Sequence, residues 1–278
     1  MKLKFIEEKA MKVVMLVTTL LVFLFVGSIL YTIVKNGWGA MNWEMISSLP
    51  GGGFYIGKEG GLLNAIVGSL YIVGASTVLG LAVSIPVVFY LNIYLKKNSK
   101  RGSFARLAYD VLFGIPSIVY GAFAFTIMIY LGLKTSLAGG IIVITLLIIP
   151  IFIRSMDEIA RELPQDMLNA SYSLGATRYE TIKVVVRQIA PGIATATLLS
   201  IGRAIGDAAA VLFTDNIPTS LGQPAATLPL AVFFQLSSPI PAVQERAYAA
   251  ALILTIIVLI LSILGRIITN RFSRNKIQ

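Results

Sequence analysis

The chain has 278 residues, 56% hydrophobic and 13% charged, with a mean hydropathy of +0.83. That is roughly half the charge of a soluble globular protein and points to a membrane protein. It has no cysteine and no histidine, which excludes disulfides, a thiolate nucleophile, a histidine base and a Cys/His zinc site. A net charge of +10 would suggest nucleic acid on a soluble domain, so its meaning depends on where the cations sit relative to lipid.

A crossing helix needs about 20 mostly apolar residues. Six stretches qualify: 13–34, 64–94, 107–131, 137–153, 189–213 and 247–268. The first is too long for a cleaved signal peptide, and no small-residue cleavage site follows it promptly. The fourth is the shortest, with Pro150 near its end. Lys2, Lys4, Lys9 and Lys12 precede the first stretch, and Lys96, Lys97, Lys100, Arg101 and Arg106 separate the second from the third. Arg154, Arg161, Arg178, Lys183 and Arg187 lie between the fourth and fifth, and Arg266, Arg271, Arg274 and Lys276 close the chain. Only Lys35, Lys58, Lys134 and Arg246 fall on the other side. Cytoplasmic loops retain Lys and Arg, so the expected fold is an all-α integral membrane protein of six transmembrane helices with both termini in the cytoplasm. Topology accounts for the basic excess, and nucleic acid needs no place.

Residues 35–63 form an external loop rich in glycine. Within it Gly52, Gly57 and Lys58 match most of a phosphate-cradling loop, but Glu59 stands where that motif needs a Ser or Thr hydroxyl for magnesium. No buried strand precedes it, so it reads as a loop. Asp110, near the cytoplasmic end of the third stretch, is expected to reach water or Arg106 in a structural role.

Residues 154–188 are the only sizeable cytoplasmic segment. Leu163, Met167, Ala170 and Leu174 share one helix face, with Pro164 suited to the first turn and Gly175 to the C-terminal cap. Thr177 and Glu180 then form a capping box leading into a second helix. Two helices joined at a glycine turn would project from the membrane, with an apolar face that wants a groove on a partner.

In the fifth stretch, Arg203 and Asp207 sit about midway. A charge at a helix centre costs about 2.5–3.5 kcal/mol on insertion scales, so two need a reason. Spaced i, i+4, they share a face and could pair structurally. Alternatively they line an anion pathway, because the Arg fork donates two parallel hydrogen bonds to an oxyanion. Asp207 could then accept a hydrogen bond from a protonated one such as hydrogenphosphate. Gly202 and Gly206 bracket the Arg in a spacing that admits another helix. The external loop 214–246 holds five prolines around the apolar run 228–236, too short to cross and expected as a re-entrant or interfacial segment.

Asn169, Ala170, Ser171 and Gly175 resemble the coupling motif of ABC-importer permeases, in which a short cytoplasmic helix docks into a cleft of the ATPase subunit. Asn169 stands where that family has Glu, and Arg187-Gln188 where it has Leu-Pro. The segments from Gly114 through Pro116, Ser117 and Tyr120 to Gly121, and from Gly202 through Arg203 to Asp207, resemble those of phosphate ABC-importer permeases. Asn64–Tyr71 and Thr227–Leu230 resemble neighbouring blocks of the same family. The likeness covers about residues 61–272, and the length and short N-terminal arm look more like the PstA-type subunit. Asp207 and Ala208 replace the family's Glu and Thr, so the acid is one methylene shorter.

The resemblance implies a type I ABC importer transmembrane domain: an N-terminal helix and external loop (1–60) followed by a permease core (61–272). It implies ATPase coupling through Leu163, Met167, Asn169, Ala170, Ser171, Leu174 and Gly175, and a substrate pathway at Arg203 and Asp207. The subunit would be non-catalytic, with no metal or cofactor of its own, because ATP and magnesium belong to two ATP-binding subunits (PstB-type). The other expected partners are a second permease chain (PstC-type) and an external phosphate-binding protein (PstS-type). Alternatives are the same machine for molybdate, sulfate or phosphonate, an ATPase-independent secondary transporter or channel, and a membrane-embedded enzyme.

Overall fold

A computed structural model describes residues 2–51, 59–96, 99–132, 134–207 and 217–273. In chain order the helices are α1 (Lys2–Gly37), α2 (Trp43–Ser47), α3 (Leu63–Phe89), α4 (Lys100–Gly114), α5 (Ser117–Tyr130) and α6 (Leu137–Arg161). They continue with α7 (Gln165–Ser173), α8 (Arg178–Gly206), α9 (Leu228–Leu236) and α10 (Pro241–Ser273). α3 runs on into one π-helical turn, Tyr90–Tyr94. Five of these helices are long and apolar enough to cross a membrane, and α4 with α5 supplies a sixth crossing if the bent pair is one broken span.

α6 is the centre of the bundle. Ile144, Ile148, Phe152 and Met156 recur along it every four residues and are each at most 2% exposed. Lipid supplies no hydrophobic drive between helices, so tight association needs small residues that let backbones approach. α3 provides them at the same period in Ser76, Gly80 and Ser84. A side chain on Gly80 would press on the Phe152 ring, and the Ser76 hydroxyl donates to the Ile141 carbonyl at 3.0 Å. α1 differs: none of its apolar window is buried by the rest of this chain, so lipid or another chain must cover it.

Several expected boundaries change. The stretch 107–131 is not one straight span, because α4 and α5 meet at 95°. Pro116 lacks an N–H and drives Ile115 to extended backbone (φ −72°, ψ 130°), which ends α4. The Tyr120 hydroxyl then closes the elbow by donating to the Leu112 carbonyl at 2.9 Å. α6 passes Pro150 and continues to Arg161, and α8 already begins at Arg178. Residues 154–188 are therefore mostly the inner ends of two long helices, with α7 and the Gly175 turn between them. In the fifth stretch α8 ends at Gly206 with Asp207 as its cap, and the rest of that stretch, 208–213, lies outside the described residues. α10 starts at Pro241 rather than at 247.

On the outer side, the apolar run 228–236 is the short helix α9. Its buried Leu228 and Ala231 join Ala65 of α3 and Ala249 and Ala250 of α10 in one apolar cluster. Gly68 lets α3 approach the Ala226 carbonyl, where any Cβ would collide with backbone, and the Leu228 N–H donates to Ser69 Oγ at 2.9 Å. The phosphate-loop lookalike, 52–58, lies outside the described residues. Its flanks, Pro50–Gly51 and Glu59–Gly60, pair as an antiparallel hairpin rather than as a strand leading into a helix.

Candidate functional site

The first region is α7. Pro164 is its N-cap (φ −59°, ψ 131°) rather than a first-turn residue, and Asp166 complements the helix dipole in the first turn. Gly175 follows with φ +79°, a left-handed conformation that only glycine adopts without strain. Its N–H bonds the Tyr172 carbonyl at 2.9 Å, and the Ala176 N–H bonds that of Ser171 at 3.2 Å. The expected capping box forms both ways: the Thr177 N–H donates to Glu180 Oε2 at 2.8 Å, and the Glu180 N–H to Thr177 Oγ1 at 3.3 Å. Thr177→Ala is expected to weaken the start of α8 by about 1 kcal/mol. Faster amide exchange at 178–181, by roughly fivefold for that energy, would be the readout.

The residues expected on one docking face divide into two sets. Leu163 and Met167 are half-buried, and Leu163 packs against the central core. Ser171 is half-buried and shares a 3.2 Å hydrogen bond with Thr181 of α8. Asn169, Ala170, Leu174 and Gly175 are exposed, with Leu174 at 90%. Leu168, not anticipated, also packs on the core, while Tyr172 and Tyr179 add exposed aromatic surface beside Leu174. The helix is thus anchored along one side and open along the other.

The second region is a buried carboxylate that sequence reading missed. Asp157 is wholly buried and accepts hydrogen bonds from Arg106 Nε (2.9 Å) and Nη2 (3.2 Å), Tyr109 Oη (2.7 Å) and Asn92 Nδ2 (2.7 Å). Arg161 Nη1 stands 4.0 Å away. A buried carboxylate holds its place only with partners of this kind. One signal was available: Ile153, Met156 and Ala160 are i−4, i−1 and i+3 from Asp157, so continuing α6 puts it on the buried face. Arg106 being committed here, Asp110 pairs instead with Arg154 at 3.7 Å on the surface, which corrects the expected Arg106 contact. A cavity of about 730 Å³ borders this cluster, with Arg106, Glu158, Arg161, Leu168, Asn169 and Tyr172 in its wall.

The third region is Arg203 and Asp207. They are not midway along a span, and they do not share a helix face. Arg203 is in the last turn of α8, where a cation suits the dipole, and it is exposed. Asp207 has left the helix (φ −91°, ψ 121°). It faces a small gap inside the bundle with Ser69, Ile144, Ala204 and Thr227. Among the described residues the two form no ion pair. Among the described residues nothing fills the close approach expected at Gly202 and Gly206: both are exposed, with no atom of another element within 4 Å of where a side chain would begin. Among the described residues no cluster of acids could hold a metal ion.

This arrangement is the transmembrane domain of an ABC importer, a multi-pass membrane protein. The fold is similar to the inward-facing MetNI methionine ABC transporter, with a TM-score of 0.64 at 19% identity over 76% of this chain and 95% of that one. It is also similar to a bacterial ABC transporter involved in import of the acidic polysaccharide alginate, with a TM-score of 0.60 at 14% identity over 96% and 98%. The chain belongs to the family of binding-protein-dependent transport system inner membrane components, whose pattern matches residues 76–277. Among its relatives, the phosphate transport system permease protein PstA of Pasteurella multocida (strain Pm70) is 34% identical over 245 residues, 86% of each chain. Proteins of the same name from Haemophilus influenzae and Yersinia pestis are 30% and 36% identical, covering 86% and 75% of this chain and 85% and 72% of theirs.

Proposed function

We propose that this chain is a translocating permease subunit of an ATP-driven importer of inorganic phosphate. One observation carries the reading: relatives named phosphate transport system permease match it at 30–36% identity over most of both chains. The subunit itself is non-catalytic. ATP and magnesium are bound by two partner ATPase subunits, and an external binding protein delivers phosphate.

In this reading the exposed side of α7, with Asn169, Ala170 and Leu174, seats in a groove of the ATPase, while Leu163 anchors the helix to its own bundle. Closure of the ATPase dimer on ATP displaces α7 and tilts the helices attached to it. The open face at Gly202, Arg203 and Gly206 receives a second permease chain, so that the two chains line one path. Phosphate passes Arg203, whose fork offers paired donors to an oxyanion. Asp207 acts from inside the bundle, holding the end of α8 against α3 and the segment before α9.

The test is radiolabelled phosphate uptake in cells lacking their own phosphate importer, with this chain expressed beside its partner subunits. Saturable, ATP-dependent uptake that excess sulfate and molybdate do not suppress is the expected result. An assembled complex that hydrolyses ATP without moving phosphate would assign the machine to another oxyanion.

A further inference from the structure

We infer that Asp157 is a positioning residue for transport: it locks the inner ends of α3, α4 and α6 into one body that moves with α7. The inference rests on the reading of α7 as the helix that docks on the ATPase.

α6 leads into α7 through residues 162–164 alone, and Leu163 within that junction and Leu168 in α7 both pack against the core. Displacing α7 therefore pulls the inner end of α6, where Asp157 sits one turn before Arg161. A hydrogen-bonded carboxylate with no exposure cannot let go of its partners cheaply, because each would be left buried and unpaired. Its partners lie on two further elements. Arg106 and Tyr109 stand i, i+3 on α4 and grip both carboxylate oxygens, Arg106 as a two-pronged fork. Asn92 lies in the π-helical turn that ends α3, and its one amide nitrogen reaches both the Val88 carbonyl (2.9 Å) and Asp157 (2.7 Å). Single π turns recur at functional sites, and this one aims a side chain across the helix boundary.

What α4 carries gives the lock its purpose. Its other end is the 95° elbow, closed by Tyr120 on the Leu112 carbonyl. Contacts thus run from α7 through α6 and Asp157 into α4, up to the elbow at its far end. A purely structural ion pair would serve stability alone, whereas a positioning role predicts that loosening it separates ATP hydrolysis from uptake.

The chain has no cysteine, so a label pair can be introduced with no background from this subunit. Ser103→Cys on α4 and Ser173→Cys at the end of α7 are conservative, and both positions are exposed in this chain. Spin labels there, in the full complex in lipid nanodiscs, report the α4–α7 distance in nucleotide-free and ATP-trapped states. In the otherwise native chain that distance is expected to stay within about 2 Å between the states. In Asp157→Asn it is expected to differ between them or to broaden, while uptake per ATP falls at least about tenfold and ATP hydrolysis stays within about twofold. Tyr109→Phe, which leaves the Arg106 fork in place, is expected to give a smaller loss of the same kind, about threefold.

The inference is overturned if α4 and α7 separate in the native chain, or if Asp157→Asn keeps both the native distance and the native uptake per ATP. Should Asp157→Asn fail to assemble, native distance and coupling in Tyr109→Phe would overturn it equally. A native complex that moves no phosphate would defeat the substrate reading alone, because the distance measurement needs only ATP.

Discussion

Arg203→Ala is expected to abolish ATP-driven phosphate uptake while leaving insertion and assembly intact. The side chain is exposed at the end of α8 and forms no ion pair among the described residues, so its removal leaves no buried charge behind. What disappears is a charged fork facing the open side of the helix. Two hydrogen bonds to a charged group, at roughly 1.5–3 kcal/mol each, amount to a factor of about 100 or more in uptake. Arg203→Lys keeps the charge without the fork and is expected to retain a measurable remnant. Because Asp207 faces a gap with Ser69 and Thr227 instead, the double variant Arg203→Ala/Asp207→Ala should not recover uptake. Vesicle uptake measured beside ATP hydrolysis checks all three. Full transport by the alanine variant, or recovery in the double, would return Arg203 to capping the helix dipole.

Gly175→Pro is expected to uncouple the machine, giving a protein that inserts, binds its ATPase and supports basal hydrolysis but moves no phosphate. Proline holds φ near −65°, against +79° here, and removes the N–H that bonds the Tyr172 carbonyl. The turn between α7 and the capping box of α8 must then be rebuilt, redirecting Leu174 and Tyr172 relative to the bundle. Gly175→Ala separates backbone from bulk. Nothing lies within 4 Å of the added carbon, so its cost is the left-handed backbone alone, about 1–2 kcal/mol, and partial transport should survive. Uptake per ATP in reconstituted vesicles is the measurement, and native coupling in the proline variant would remove α7 from the drive train.

Local chemistry was legible from the residues. The Gly175 turn, the Thr177–Glu180 box and the α9 run depend on neighbours a few positions away, and the structure places them as the sequence suggests. The helix ends that run past their expected bounds share one cause. Scoring apolar stretches ends a span where charge begins, yet α6 carries Arg154, Asp157 and Glu158 without interruption, because helix hydrogen bonds do not depend on side-chain polarity. Pro116 was visible as part of a family-like segment, but that it turns the chain by 95° depends on what Tyr120 reaches across the bend.

Hydropathy makes the chain a membrane protein of about six crossings and charge distribution says which side holds the cations, while a motif resemblance marks one short helix as an ATPase contact. Each of these signals acts over one helix at most. Only the tertiary structure decided that Arg203 and Asp207 part company at the end of α8, and that Arg106 belongs to Asp157 rather than to Asp110. Asp157 is 48 residues from Tyr109 and 65 from Asn92, and no local rule can pair groups so far apart. They meet because a buried carboxylate must find donors wherever close packing of α3, α4 and α6 has already brought them.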